Sequence, residues 1–161
     1  MSDPDAHITF KVTGKNGFGA DTGDLMLLRG AKELIKSTAF SGGLSSPAGS
    51  APIPTEVYTI RLDIRQTCSK YPWPGDTSDG MHQWYGVEKV DVSEWQWEWG
   101  HFRAHLNEHS AKMAQAYRGN FLHGKVRPDD YTHGCICERS EVILRQLWTM
   151  KQAHVKVHVV R

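Results

Sequence analysis

The chain has 161 residues, with 19 Lys+Arg against 18 Asp+Glu, a formal net charge of +1 and an isoelectric point near 7.8. So balanced a surface gives no field that would gather nucleic acid or an anionic membrane, and neither is expected as a partner. No stretch approaches the roughly 18 apolar residues of a membrane span. Met1–Ala20 lacks the apolar run with basic flanks of a secretory signal. The expectation is one domain over 1–161, with its core at about 7–160, made in the cytoplasm.

Ile8, Phe10 and Val12 alternate with polar residues, the period of a half-buried strand. Gly23–Arg29 and Lys32–Phe40 flank Gly30-Ala31 and predict a hairpin. Gly42–Pro54 is rich in Gly, Ser and Pro, and a loop of that length is expected to line a cleft or act as a lid. Tyr58, Ile60, Leu62 and Ile64 alternate again within Thr55–Arg65. From Tyr71 to Trp99 the chain is irregular and aromatic. Within it, Trp95-Gln96-Trp97-Glu98-Trp99 alternates as a strand with one aromatic face, suited to packing or to stacking on a glycan.

Leu106–Tyr117 reads as a helix. So does Glu141–Met150, with Ser140 as N-cap and Ile143, Leu147 and Met150 on one face. His154–Val160 closes the chain as a strand. The fold expected is mainly β with a few helices, of the α+β class.

Chemistry concentrates in Phe121–Arg139. His123-Gly124 lies upstream of His133-Gly134-Cys135, with His123 twelve positions before Cys135. A thiol needs a base to react near neutral pH, and imidazole is the usual one. Glycine beside each reactive residue lets backbone approach a substrate closely. Cys135 is therefore the candidate nucleophile and His123 the candidate base, ahead of His133, which would position the substrate carboxylate or shape the turn. Gly124 leaves room for a backbone carbonyl to hold one ring nitrogen of His123, the part a carboxylate plays in a Ser-His-Asp triad. The N–H groups of Gly134 and Cys135 are the candidate oxyanion donors.

Three cysteines allow at most one bridge, and Cys68–Cys137 is the pairing that spares Cys135. His123, His133, Cys135 and Cys137 could in principle ligate zinc, but His-x-Cys-x-Cys lacks the gap that lets paired ligands wrap one ion, so no metal is expected. Asp129, Asp130, Glu138 and Glu141 read most simply as solvated charges rather than as a glycosidase pair.

Thr132-His133-Gly134-Cys135-Ile136 after His123-Gly124, with a helix and a final strand behind, resembles the YkuD-type L,D-transpeptidases. Trp99-Gly100-His101-Phe102-Arg103 and Arg118-Gly119-Asn120-Phe121-Leu122-His123-Gly124 bring the chain closer to the L,D-transpeptidase-like peptidoglycan-targeting effectors of type VI secretion. Gly23–Leu27, Phe40–Gly43 and Ile53–Ile60 are similar in order and spacing to the opening strands of that family. Two positions depart from its pattern: Glu56 stands where glycine is usual, and Cys137 where arginine or asparagine is common.

The resemblance implies a β-sandwich with a helix after the Cys135 turn. It implies that Cys135 attacks the diaminopimelate carbonyl of a peptidoglycan stem tetrapeptide and expels D-alanine. Water then releases the acyl group (L,D-carboxypeptidase), or an amine takes it (L,D-transpeptidase or D-amino-acid exchange). Substrate contacts would come from Thr132, Arg103, Trp99, Tyr117 and Arg118, with no cofactor. An antibacterial toxin acting in the target-cell periplasm follows, with an immunity protein and a secretion-machinery component as partners. Two other classes stay open: an NlpC/P60-type peptidoglycan amidase, whose Cys-before-His order this chain does not show, and a non-catalytic wall-binding or phage-structural module built on the tryptophans.

Overall fold

The computed structural model describes residues 5–68, 79–84, 99–108 and 120–161, the side chains of Cys68 and Trp84 excepted. Within them the protein is mainly β, with one full helix. Strands β1 (Ala6–Lys15), β2 (Asp21–Arg29) and β3 (Lys32–Ser41) form an antiparallel meander, and β2 turns into β3 at Gly30-Ala31 as the pattern predicts. Gly30 has φ 60°, the left-handed backbone that glycine adopts without a Cβ penalty. Strand β4 is Val57–Arg61, shorter than its alternating run, because Leu62 and Asp63 turn to donate their N–H groups to Ala153 O.

Five short strands follow: β5 (Arg65–Cys68), β6 (Met81–Trp84), β7 (Phe102–His105), β8 (Asn107–Glu108) and β9 (Phe121–His123). After them come β10 (Ile136–Cys137), α1 (Val142–Thr149) and β11 (His154–Val160). All the strands join one ladder in the order β5-β6-β7-β9-β10-β3-β2-β1-β11-β4-β8. Six strands separate β7 from β4 in that order, yet the two pack together. The ribbon therefore bends over on itself and closes around its apolar face.

That face is made by the alternation read in the sequence. Ile8, Phe10, Leu25, Leu27, Tyr58, Ile60, Val155, Val157 and Val159 are at most 1% exposed. Each such side chain contributes roughly 1.5–3 kcal/mol relative to exposure. Helix α1 lies against β3 and β7 on this side, burying Ile143, Leu144 and Leu147.

Three expectations are corrected here. Asn107–Glu108, placed in a helix by the sequence pattern, pairs instead with Tyr58 and Thr59 of β4; the rest of that predicted helix lies outside the described residues. Trp99 is helical rather than extended, and the other tryptophans of its run lie outside the described residues. Ser140 does not cap α1, because its hydroxyl meets that of Ser37 at 3.0 Å. Cys137 is a buried free thiol, so the one pairing that the cysteine count left open beside Cys135 is not made. No helix among the described residues is long and apolar enough to cross a membrane.

Candidate active site

Strand register places the reactive residues together. Parallel pairing sets Ile136 of β10 opposite Leu122 of β9 and Cys137 opposite His123. Leu122 and Ile136 point into the core, so the alternating residues Phe121, His123, Cys135 and Cys137 share the other face. Antiparallel pairing extends the row, with Arg103 of β7 opposite His123 and His82 of β6 opposite Arg103. His82, Arg103 and His123 thus stand in line across three strands, with the Cys135 turn at the end of the fourth.

Cys135, His123 and His133 share the wall of a cavity of about 170 Å³ with Trp99, Tyr131, Thr132 and Lys125. Cys135 is 7% exposed and His123 4%, while His133 sits exposed at the rim. The Nδ1 atom of His123 lies 2.5 Å from Gly124 O. A carbonyl only accepts, so Nδ1 carries the proton and Nε2 keeps its lone pair. Trp99 backs the ring at 4.6 Å between centroids.

The His123-Gly124 peptide is held by close packing. Gly124 N–H donates to Phe102 O, and His123 O accepts from Glu138 N–H. A Cβ on Gly124 would stand 2.4 Å from Glu141 Cδ, and a Cβ on Gly100 only 2.8 Å from Gly124 Cα. The layers Gly100, Gly124 and Glu141 therefore stack with no room between them. Glu141 is left-handed, with φ 57°, and its carboxylate accepts from His101 N–H, Phe102 N–H and His101 Nδ1 at 2.9–3.1 Å. The Glu138 carboxylate accepts the N–H groups of Ile143 and Leu144, so this side chain caps α1. Both carboxylates were expected in solvent, yet Glu138 is 0% and Glu141 5% exposed. Unsatisfied helix N–H groups and the β7 backbone draw them inside.

The Cys135 turn is stitched from its other side. Thr132 Oγ1 accepts from Gly42 N–H and Gly134 N–H and donates to Cys135 O, so its hydroxyl shapes the turn. Gly134 has φ 114°. Its N–H donates to Thr132 Oγ1 at 3.1 Å, so of the two candidate oxyanion donors the Gly134 N–H is already engaged in this arrangement. Ser41 Oγ donates to Gly134 O and accepts from Ile53 N–H. The loop after β3, expected as a lid or a cleft wall, is thereby a cradle under the turn.

The electrostatics follow from burial. Desolvation pushes the His123 imidazole down to about 4 and the Cys135 thiol up to about 11. Lys125 and Arg103 lower His123 further, whereas a backbone hydrogen bond from Phe121 and the Arg103 charge pull the Cys135 value back. Thiol and imidazole are therefore both neutral at rest. Arg103 is 1% exposed, its guanidinium 4.4 Å from the Phe121 ring centroid and 5.2 Å from that of Trp99.

Of the predicted contacts, Thr132 and Trp99 line the cavity and Arg103 lies behind it, while Tyr117 and Arg118 lie outside the described residues. Cys137 packs with Ala20 and Phe40, and among the described residues no three His, Cys, Asp or Glu are grouped to hold a metal ion. Sequence reasoning missed Lys125, Glu138 and Glu141, which carried no signal beyond adjacency to the two glycine-bearing motifs.

The fold and site together define a mainly β protein with a buried imidazole at the end of one strand and a buried thiol in the turn that leads into the parallel strand beside it. No protein-family model and no curated protein matches the sequence. Among solved structures, the chain is similar to Bd1075 of Bdellovibrio bacteriovorus, with a TM-score of 0.52 and 12% identity over 97% of this chain. It spans 48% of that structure's chain, and at such identity the likeness concerns the fold alone.

Proposed function

We propose that the protein is a peptidoglycan-modifying cysteine acyl-transfer enzyme acting at the diaminopimelate–D-alanine bond of stem tetrapeptides. The observation that carries this reading is the His123 ring anchored through Nδ1 to Gly124 O, on the strand beside Cys135, both residues lining one cavity. Two neutral partners call for general-base catalysis rather than a preformed ion pair. Nε2 of His123 takes the proton of Sγ as the sulfur adds to the carbonyl carbon, and the Cys135 N–H meets the oxyanion. The intermediate expels the D-alanine amine, which receives that proton from His123, and a thioester remains on Cys135. Water deprotonated by the same ring completes an L,D-carboxypeptidase cycle; an incoming amine completes transpeptidation or D-amino-acid exchange.

The resemblance of the His-Gly and His-Gly-Cys motifs to type VI effectors supports a site of action in the periplasm of a target cell, with an immunity protein and a secretion component as the partners proposed. The test is mass analysis of peptidoglycan fragments incubated with the purified protein. Tetrapeptides should fall while tripeptides or exchanged tetrapeptides rise, and Cys135→Ala should stop both changes. Expressed with an added signal peptide in a diaminopimelate-type bacterium, the protein should inhibit growth, whereas cytoplasmic expression should be harmless. Cleavage between D-glutamate and diaminopimelate would favour the amidase class. Binding that survives Cys135→Ala with no turnover in either protein would favour a wall-binding module.

A further inference from the structure

We infer that Glu141 is the positioning residue of the His123 base: its carboxylate ties the start of β7 against Gly124 and so fixes the carbonyl that selects the ring tautomer. The inference deepens the acyl-transfer reading above, on which only its turnover arm rests. Glu141 is the one residue other than glycine with positive φ among the described residues, at φ 57° and ψ 20°. That backbone is costly for a residue with a Cβ, and it persists where the surroundings over-determine it, most often at functional sites. Glu141 also stands at the N-cap of α1, where a carboxylate usually accepts the first helix N–H groups. Its side chain makes no such bond, and Glu138 caps the helix instead. A strained backbone and a forgone cap together turn this carboxylate from its own helix onto β7.

Oε2 accepts the N–H groups of His101 and Phe102 at 2.9 and 3.1 Å, and Oε1 lies 3.0 Å from His101 Nδ1. The Phe102 carbonyl in turn accepts the Gly124 N–H. Gly124 has no side chain to hold its own carbonyl, so the peptide plane that follows it turns unless neighbours block it. Two neighbours do. A Cβ on Gly124 would stand 2.4 Å from Glu141 Cδ, and a Cβ on Gly100 would stand 2.8 Å from the Gly124 carbonyl carbon and 2.9 Å from Lys125 N. Gly124 thus lies between the Glu141 carboxylate and the Gly100 backbone. The His101 N–H that Glu141 accepts belongs to the peptide that begins at Gly100, so one carboxylate secures both walls. The carbonyl held this way accepts from His123 Nδ1 and leaves Nε2 its lone pair. An imidazole left to water carries its proton mainly on Nε2, and in that form it could not take the thiol proton.

The experiment reads the tautomer directly, by nitrogen-15 NMR of the imidazoles in the purified protein near neutral pH, with His123→Gln assigning the signals. His123 in the native chain should show a protonated Nδ1 and a bare Nε2. Glu141→Gly removes the carboxylate and suits φ 57°, and it should move most of the His123 population to the Nε2–H form. Glu141→Gln should keep the native tautomer, because its amide oxygen can accept both backbone N–H groups while its amide N–H donates to His101 Nδ1. His101→Ala should keep it as well, since the two backbone N–H groups remain. On a stem tetrapeptide, Glu141→Gly should lower kcat about 10- to 100-fold with KM little changed, and Glu141→Gln should recover most of the loss. A glycine variant that keeps the Nδ1–H tautomer, a glutamine variant that loses it, or a native chain with Nε2–H overturns the positioning role. None of these three results depends on turnover. The expected tautomers in a native protein that turns over no stem peptide would sink the acyl-transfer reading and leave the hold on the ring standing.

Discussion

Gly124→Ala is the sharpest probe of how the base is held. Its φ is not among the left-handed ones, so alanine fits the backbone, and any cost comes from the space. The new methyl would lie 2.4 Å from Glu141 Cδ and 2.6 Å from Oε2, about 1 Å inside ordinary contact. The Glu141 side chain cannot swing away cheaply, because it is buried and accepts three hydrogen bonds. Losing one or two of them, at roughly 1.5–3 kcal/mol each for a charged acceptor, predicts a destabilisation of about 3 kcal/mol. For a domain of this size that lowers Tm by about 6–12 °C. A shift of Gly124 O would also release Nδ1 of His123, and misplacement of that order costs about 10²-fold in kcat. Thermal denaturation and turnover of a stem tetrapeptide read the two effects. Glu141→Gly removes the obstruction and suits φ 57°, so Gly124→Ala should cost less than about 1 kcal/mol in that background. A Gly124→Ala protein that melts with the wild type and turns over normally would refute the packing argument.

Four further outcomes are expected. The acid limb of kcat/KM should lie near pH 4 rather than 6.5, since His123 must be neutral to accept the thiol proton; a limb at 6.5 would contradict the burial of the ring. Stability carries the matching sign: below 6.5 the unfolded chain protonates at His123 and His82, while the folded chain refuses both protons until about 4. Denaturant midpoints should therefore fall as pH drops through that window, and a flat profile would argue against it. His123→Ala should lower kcat by about 10²–10⁴-fold and His133→Ala far less, because His133 is exposed at the rim; the reverse order would exchange their roles. Glu138→Ala should lower Tm by about 2–8 °C through loss of the α1 cap, with an unchanged Tm as the refuting result.

What the sequence disclosed and what it hid divide along physical lines. Period-two alternation marked β1, β4 and β11, because each buries one face and wets the other. The Gly30-Ala31 turn was legible from its two flanking strands. The His-Gly and His-Gly-Cys motifs pointed to residues that parallel pairing brings onto one face. The pairing order was not legible, since β10 meets β3 and β9 through contacts distant in the chain. Nor was the burial of Arg103, Lys125, Glu138 and Glu141. A charge looks solvated in a linear reading, and only the folded chain supplies the ring faces, carbonyls and N–H groups that compensate its desolvation.

The two thiols flanking Ile136 give the molecule an internal clock. Cys135 borders the cavity, whereas Cys137, two residues on, is sealed among Ala20 and Phe40 at 0% exposure. A small alkylating reagent that enters the cavity reaches the first without any strand moving. It reaches the second only when β10 leaves β3. In a Cys68→Ser background, the ratio of the two labelling rates would measure how often the centre of the sheet opens in the native state.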